Sequence, residues 1–381
     1  MDQEEEFFSD VKEWSARKLS IIKKYVDGFS KILGRRYKEI YYVDGFAGRG
    51  TYDDGEKGSP VLAAEASQAF QQSNMPFILM CMNVEKDHDN FVNLLAETKK
   101  FGNLVRNFEG SFDEHIDNIL SQLSGNPAVF FLDDFGIKGT DWDSVEKVIA
   151  RKDSTDIWIR FDYKTVRRLA GFYDSNAKDA QGKLNTLQNL FGINDSKFLQ
   201  TRLGGGTSEQ RINNALILYI EQLEKTFNKF GKKGFAASYP IVSINEQRKY
   251  HLIFACAHPK AATLASNIVN GIEETFQHEK EEYKEHLTGQ FSLFTSEVIE
   301  KQIFDNKVEK LMSAILFLPK NKPLSRVELH YEIIVQDKSW FGKIGRKHLT
   351  QALRELSNKS SPKIKCVGMP GSDESTFTIL E

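Results

Sequence analysis

Cysteine is scarce in this chain: three in 381 residues, Cys81, Cys256 and Cys366, with no CxxC pair among them. That spacing excludes a zinc ribbon and a disulfide framework, and it fits a reducing compartment. No apolar run is long enough to span a bilayer. The opening residues, MDQEEEFFSD, are acidic and lack the apolar centre of a secretory leader. A cytoplasmic protein with no membrane role is the expectation. An excess of one charge is missing too. The formal net charge is -2, so no global field draws the chain to nucleic acid, and any basic surface has to be local. None of the eight histidines stands in metal-ligand spacing, so no metal is expected, and His251 and His258 read as structural. No serine or cysteine nucleophile motif, no G-x-x-x-x-G-K-[ST] and no internal repeat is present.

What is there is a long chain with 40% hydrophobic residues. That is enough for real cores and too long for one ordinary domain. Val11, Trp14, Ile22, Tyr25, Phe29 and Leu33 recur at helical spacing, which predicts an amphipathic helix over 10–33 with Lys18 on it. Strands are then predicted at 39–43, 77–84, 104–108, 128–132 and 156–161, alternating with helices. This alternation, with near-continuous apolar strands, predicts a parallel, doubly wound α/β sheet. Ser59 reads as an N-cap with Pro60 at the first helical position.

The predicted organisation has three parts. Residues 1–273 form the α/β domain, with a helical insertion at about 164–230 and two closing antiparallel strands near 234–244 and 250–257. Residues 274–305 form a charged helical linker. Residues 306–381 carry three helices and a β-ribbon, a winged-helix pattern.

The chemistry sits in the turns after the strands. Asp44-Gly45-Phe46-Ala47-Gly48-Arg49-Gly50 follows the first strand, and Gly48 and Gly50 let backbone approach a ligand closely. The order is not the dinucleotide G-x-G-x-x-G, and Asp44 would repel a pyrophosphate. A carboxylate there suits a cationic amino-acid tail, which points to S-adenosylmethionine. Glu85 ends the second strand, where doubly wound folds offer a carboxylate to ribose hydroxyls. Ser111 and Phe112 follow the third strand, beside the expected adenine. Asp133 ends the fourth. The predicted cofactor set is Asp44, Phe46, Gly48, Gly50, Glu85, Ser111, Phe112 and Asp133.

These features, in this order, resemble the three-Cys-motif partner proteins. The leading helix with Trp14, Lys18, Leu19 and Tyr25 matches first. Next come Asp44 to Gly50 against a family D-x-F-A-G-x-G, and Gly58-Ser59-Pro60 opening a helix. Last is Phe131-Leu132-Asp133-Asp134-Phe135-Gly136 against a family D-P-F-G. The resemblance covers about residues 10–270. It implies a class I, S-adenosylmethionine-dependent methyltransferase-like fold and a protein partner, a radical-SAM-like protein that carries the three-Cys motif. Asp134 departs from the family proline, and Ser111 stands where the wider class places an acidic residue.

The Asp133-Asp134-Phe135-Gly136 loop is similar to the D-P-P-Y loop of amino-methyltransferases acting on bases. By that analogy Asp133 orients the acceptor and Phe135 stacks on it. The alternative assignment makes Phe135 core and Asp134 a helix cap. Asp162 and Tyr163, after the fifth strand, are further candidates for the pocket. In the tail, Lys343, Arg346, Lys347 and Lys365 are the basic residues expected to meet DNA or RNA phosphates. Two functions follow as expectations. One is a methyltransferase acting on nucleic acid with a partner protein. The other is a weakly catalytic or non-catalytic subunit that serves as the partner's recognition or scaffold component.

Overall fold

A computed structural model describes residues 3–52, 54–134, 141–174, 180–288, 296–358, 361–372 and 374–380. The chain divides into two units, Met1–Ala257 and His258–Glu381. The first begins with α1 (Gln3–Leu33), β1 (Glu39–Asp44), α2 (Ser59–Gln72), β2 (Ile78–Glu85), α3 (His88–Thr98) and β3 (Val105–Glu109). It continues through α4 (Phe112–Gln122), β4 (Ala128–Leu132), α5 (Trp142–Ala150) and β5 (Thr155–Phe161). Then come α6 (Tyr163–Ala170), α7 (Ala180–Phe191), α8 (Ser196–Leu203), α9 (Ser208–Lys229), β6 (Phe235–Val242) and β7 (Arg248–Cys256).

The seven strands form one mixed sheet in the order β3-β2-β1-β4-β5-β7-β6. β1 to β5 are parallel, and β7 runs antiparallel to both neighbours. The winding reverses between β1 and β4. In such sheets the crevice outside the carboxyl ends of the two strands at the reversal is where ligands bind. The expected α/β Rossmann-like architecture is therefore present, with the β6–β7 hairpin closing it.

The two faces of the sheet are covered differently. Phe130, Leu132, Ile157, Ile159 and Phe161 join a core with Trp142 of α5 and Tyr219 of α9. The helices of the 164–230 region build this side. Asp162, Asp195 and Thr207 cap three of them by accepting backbone N–H bonds. On the other face lies α1. Its Tyr25 meets Trp158 and Phe254 edge-on, with ring centroids 5.3 and 5.1 Å away. Leu19, Ile22, Val26 and Phe29 are buried with it, the apolar stripe that the helical period requires.

One local expectation is corrected. Ser59 is not the N-cap of α2; Gly58 is, without a side-chain bond. The Ser59 hydroxyl is used instead by Asp44, to which it hydrogen-bonds. The charged 274–305 stretch consists largely of the end of α10 (Pro259–Thr288) and the start of α11 (Ser296–Leu316). In the second unit these are followed by β8 (Pro323–Ser325), α12 (Arg326–Gln336), α13 (Arg346–Ser357), β9 (Ile364–Val367) and β10 (Thr376–Ile379). The three strands pair antiparallel in the order β8-β10-β9. Leu311, Ile315, Leu329, Leu353 and Phe377 form the core of this unit. The three-residue β8 carries no signal of its own in the sequence. It exists because β10 needs a partner on its second edge. No helix among the described residues is long and apolar enough to cross a membrane.

α1 is fixed to the sheet by a buried carboxylate. Asp156 of β5 is 4% exposed and accepts a 2.7 Å hydrogen bond from the Tyr25 hydroxyl. Burial pushes its carboxyl up to about 7, with the Tyr25 bond opposing the shift. The native state therefore holds this proton where the unfolded chain releases it. Stability on this account falls as pH rises from about 4 to about 7 and stays low above that. Asp156→Asn removes the effect. Denaturant titration should find the variant progressively more stable than wild type across that range, by up to about 4 kcal/mol above pH 7. A gap that does not change with pH would refute this.

Candidate active site at the carboxyl edge of the sheet

The turn after β1 is held from three sides. The Gly45 N–H donates to the Phe131 carbonyl of β4 at 2.9 Å, and the Ala47 N–H to the Val84 carbonyl of β2 at 2.9 Å. The Gly48 N–H donates to Glu85 Oε2 at 2.7 Å. Gly48 and Gly50 have φ of +64° and +89°, a region that costs other residues about 1–2 kcal/mol. A Cβ on Gly48 would meet nothing within 4 Å, so this backbone faces open space. Gly45 is constrained differently. A Cβ there would fall 2.8 Å from Leu132 and 3.0 Å from Phe112.

Asp44 is completely buried. Its Oδ1 accepts the Phe46 N–H at 3.2 Å and its Oδ2 the Tyr42 hydroxyl at 3.0 Å. Burial pushes its carboxyl up to about 6, and the Ser59, Phe46 and Tyr42 bonds act against that. These bonds make it the internal brace of the turn. Glu85 is half-buried at the end of β2. Besides Gly48, it accepts the Asp87 N–H on Oε1 at 2.7 Å. The next loop is tied here too, since the Gly110 N–H donates to the Glu85 carbonyl at 2.9 Å. Each carboxylate oxygen keeps a lone pair after these bonds.

Ser111 is the N-cap of α4. Its hydroxyl accepts the Glu114 N–H at 3.3 Å while Glu114 Oε2 accepts the Ser111 N–H at 2.7 Å. Phe112 is fully buried in the core, with its ring 6.4 Å from that of half-buried Phe46. The loop candidates after β5 also have structural tasks. Asp162 caps α6, and the Tyr163 hydroxyl donates to the Arg248 carbonyl. Phe135 lies outside the described residues.

Asp133 sits among charged groups that come from distant parts of the chain. It is 8% exposed, just past β4. The ammonium of Lys18, 3% exposed on α1, donates to its Oδ2. Arg160 of β5 brings Nη1 to 3.6 Å from Oδ1, close enough for charge attraction and too long for a hydrogen bond. Oδ1 is thus a buried acceptor without a hydrogen-bond partner. The Tyr250 hydroxyl on β7 is likewise buried and unpartnered. Each such atom costs about 1–3 kcal/mol if nothing ever satisfies it. The Arg160 guanidinium lies 4.5 Å over the Tyr250 ring, and Trp14 of α1 meets that ring edge-on at 5.6 Å. Trp14 and Lys18, one turn apart, reach two neighbouring members of the same cluster.

Lys18 was visible in the sequence as one of several lysines on a helix and as part of the family resemblance, with nothing to say that it turns inward. Arg160 had a clearer signal. Asp156, Trp158 and Arg160 alternate along an apolar strand, so one of its faces carries two charges. His251, on the opposite face of β7, has neither ring nitrogen hydrogen-bonded, and burial lowers its pKa to about 4. Among the described residues no group of His, Cys, Asp and Glu suits a metal.

The four basic residues of the tail are all exposed. Lys347 pairs with Glu274 at 2.9 Å, and Arg346 donates to the Gly371 carbonyl at 3.2 Å.

No protein-family model and no curated protein matches the chain. Solved structures of S-adenosylmethionine-dependent methyltransferases are distantly similar. The O-methyltransferase TomG from Streptomyces achromogenes, in complex with SAM, is 11% identical at a TM-score of 0.31, over 62% of this chain and 78% of that one. An O-methyltransferase from Bacillus cereus, in complex with SAH, is 12% identical at 0.34, over 62% and 80%. The Legionella pneumophila protein LPL1258 is 12% identical at 0.34, over 68% and 90%.

The Lys18–Asp133 pair can be tested by a double-mutant cycle. Lys18→Met leaves a buried carboxylate short of its main partner, and unfolding free energy should fall by about 3 kcal/mol at neutral pH. Adding Asp133→Asn to Lys18→Met should restore most of that. A loss in the double variant equal to the sum of the separate Lys18→Met and Asp133→Asn losses would show that the pair has no coupling.

Proposed function

We propose that the first unit binds S-adenosylmethionine and transfers its methyl group to a nucleic acid, with the second unit contributing to substrate binding. The observation that carries this is the set of groups gathered at one sheet edge. An open glycine backbone lies at Gly48, the Glu85 carboxylate ends the neighbouring strand, and a buried acceptor without a partner waits on Asp133.

The residues fit the cofactor. Glu85 has lone pairs left for two ribose hydroxyls. Gly48 leaves room for the amino-acid tail beside the turn that Asp44 braces, Gly50 supplies the left-handed backbone of that turn at φ +89° against Glu97 and Val61, and Phe46 is its half-buried ring. When bound, the cofactor supplies an electrophilic methyl on a sulfonium. The remaining work is positional. Lys18 fixes one oxygen of Asp133, so the other is aimed at the acceptor. Alignment of this kind supplies up to about 7–11 kcal/mol of a displacement barrier. Asp133 accepts the hydrogen bond of an acceptor N–H and so orients the nitrogen lone pair.

The second unit supports a winged-helix reading by its order of elements: a helix, a short strand, two helices and a hairpin, with the short strand added to the hairpin. Lys343, Arg346 and Lys365 are its exposed cations toward phosphate, whereas Lys347 is partly neutralised by Glu274. The resemblance to three-Cys-motif partner proteins adds a protein partner, a radical-SAM-like protein, to this proposal. A second reading, a recognition subunit with little catalysis, draws on one observation: Lys18 already occupies half of the Asp133 carboxylate.

Calorimetry tests the cofactor. The full chain should bind S-adenosylmethionine, and Glu85→Ala should weaken it at least about tenfold by removing charged hydrogen bonds to ribose. No binding to wild type overturns the proposal. Binding without transfer of labelled methyl to DNA or RNA, with or without the partner, selects the second reading. For the tail, Lys343→Glu/Lys365→Glu should weaken nucleic-acid binding uniformly across sequences. It should also lower the slope of log affinity against log salt by about one for each phosphate that is no longer neutralised. An unchanged slope removes these residues from the interface.

A further inference from the structure

The cluster around Asp133 holds three buried polar atoms with no hydrogen-bond partner, Asp133 Oδ1, the Tyr250 hydroxyl and the Trp14 indole N–H, and the first two carry complementary roles. Asp133 Oδ1 only accepts hydrogen bonds, and no donor is within hydrogen-bond distance of it. The Tyr250 hydroxyl can donate, and it has no partner either, although Tyr250 is 1% exposed. One side chain links the two. The Arg160 guanidinium stacks 4.5 Å over the Tyr250 ring and brings Nη1 to 3.6 Å from Asp133 Oδ1. The surroundings are aromatic. Trp14 stands edge-on to Tyr250, and Tyr52, from the loop after Gly50, feels the charges of Asp133, Asp44 and Arg160 while its ring stays 46% exposed. Tyr52 is therefore the member of this group that reaches solvent.

Buried polar atoms in folded proteins almost always have partners, and those that do not are explained by a ligand or water that completes them. An acceptor and a donor linked through one guanidinium, among ring faces, match a planar heterocycle. Such a group presents an exocyclic amine beside a ring nitrogen, the edge that adenine and cytosine carry. An aliphatic amide has the same polar pair but no ring to stack.

We infer that Asp133 Oδ1 and the Tyr250 hydroxyl together read the amine and the adjacent ring nitrogen of an amino-heterocycle, which makes Tyr250 the specificity-determining residue of the acceptor subsite. Lys18 acts as a positioning residue, because its hold on Oδ2 decides which oxygen is left for the amine. Trp14 and Tyr52 supply ring surface. This deepens the methyltransferase reading and rests on it.

The test is calorimetry on the full chain saturated with S-adenosylhomocysteine, so that the cofactor's own adenine site is filled. The probes are adenosine, purine riboside, which lacks the amine, and 1-deazaadenosine, which lacks the ring nitrogen. Wild type should bind adenosine about tenfold or more tightly than either analogue. Tyr250→Phe should weaken adenosine about tenfold, leave 1-deazaadenosine unchanged and leave S-adenosylhomocysteine affinity unchanged. It should also melt no lower than wild type, since it deletes a hydroxyl with no partner. Asp133→Asn should abolish the preference for adenosine over purine riboside. Equal adenosine affinity in Tyr250→Phe and wild type overturns the inference. So does a lack of nucleoside binding to the cofactor-loaded protein, or a preference for N-acetylglutaminamide over adenosine. Failure of S-adenosylhomocysteine to bind is a separate result, and it overturns the cofactor reading on which this one rests.

Discussion

The ion pair between Lys18 and Asp133 ties together parts of the molecule that nothing local would join. The two residues are 115 positions apart. One lies on the leading helix and the other at the carboxyl end of β4. Both are almost fully removed from water, so neither can stay charged without the other at acceptable cost. The ammonium needs a carboxylate, and the carboxylate lies at the topological switch point. The helix must therefore run along the sheet toward that edge. Once α1 is so placed, Tyr25 reaches Asp156 and Trp14 reaches Tyr250. The acceptor side of the site is thus built by a helix that precedes the first strand of the sheet.

Three buried carboxylates sit on or at the end of the central strands, and each is accommodated differently. Asp44 is surrounded by donors that carry no charge, two hydroxyls and a backbone N–H. Asp156 has one hydroxyl, from Tyr25. Their carboxyls are pushed up to about 6 and about 7. The order follows the number of donors, because each hydrogen bond recovers part of the solvation lost on burial. Asp133 is the one placed between cations, from Lys18 and Arg160. Neutral donors suffice for carboxylates that brace a turn or anchor a helix. A carboxylate that has to present a free oxygen to a ligand needs its remaining charge balanced from the protein side.

The sheet was legible because its strands are short, nearly all apolar and end on turn signals, so run length and flanking residues separate strand from helix. The glycine turn after β1 was legible for the same local reason. Asp44, Gly48, Gly50 and Glu85 each end a strand or occupy the loop after it, and chain order is enough to bring them together. Ser59 was misread because it satisfies the rule for an N-cap while a stronger demand, a buried carboxylate in the preceding strand, takes its hydroxyl. The inward turn of Lys18 and the role of Tyr250 lie outside what local rules reach, whereas Arg160 shares a strand face with Asp156. A lysine on a helix is normally solvated, and only tertiary packing turns this one inward. The boundary between the units, at Ala257 and His258, falls earlier than the change of texture near 273, because α10 begins with apolar residues that resemble the strands before it.

The two halves of the site are therefore written in different ways. The half around the glycine turn is joined by backbone hydrogen bonds between neighbouring strand ends. Gly45 bonds to Phe131, Ala47 to Val84 and Gly110 to Glu85. Backbone bonds of this kind depend on glycines and strand lengths, so substitutions elsewhere leave them intact. The acceptor half is joined by side chains alone: Trp14, Lys18, Asp133, Arg160 and Tyr250 come from the leading helix, two strands and the end of β4. Losing one member of a buried pair costs stability, but the backbone ladder of the sheet does not run through any of these side chains. A fold built this way can keep the backbone of its glycine turn while the side-chain cluster beside it varies. That is why seven residues of sequence suffice to suggest what such a domain binds, while what it modifies has to be read from the packing of its first helix.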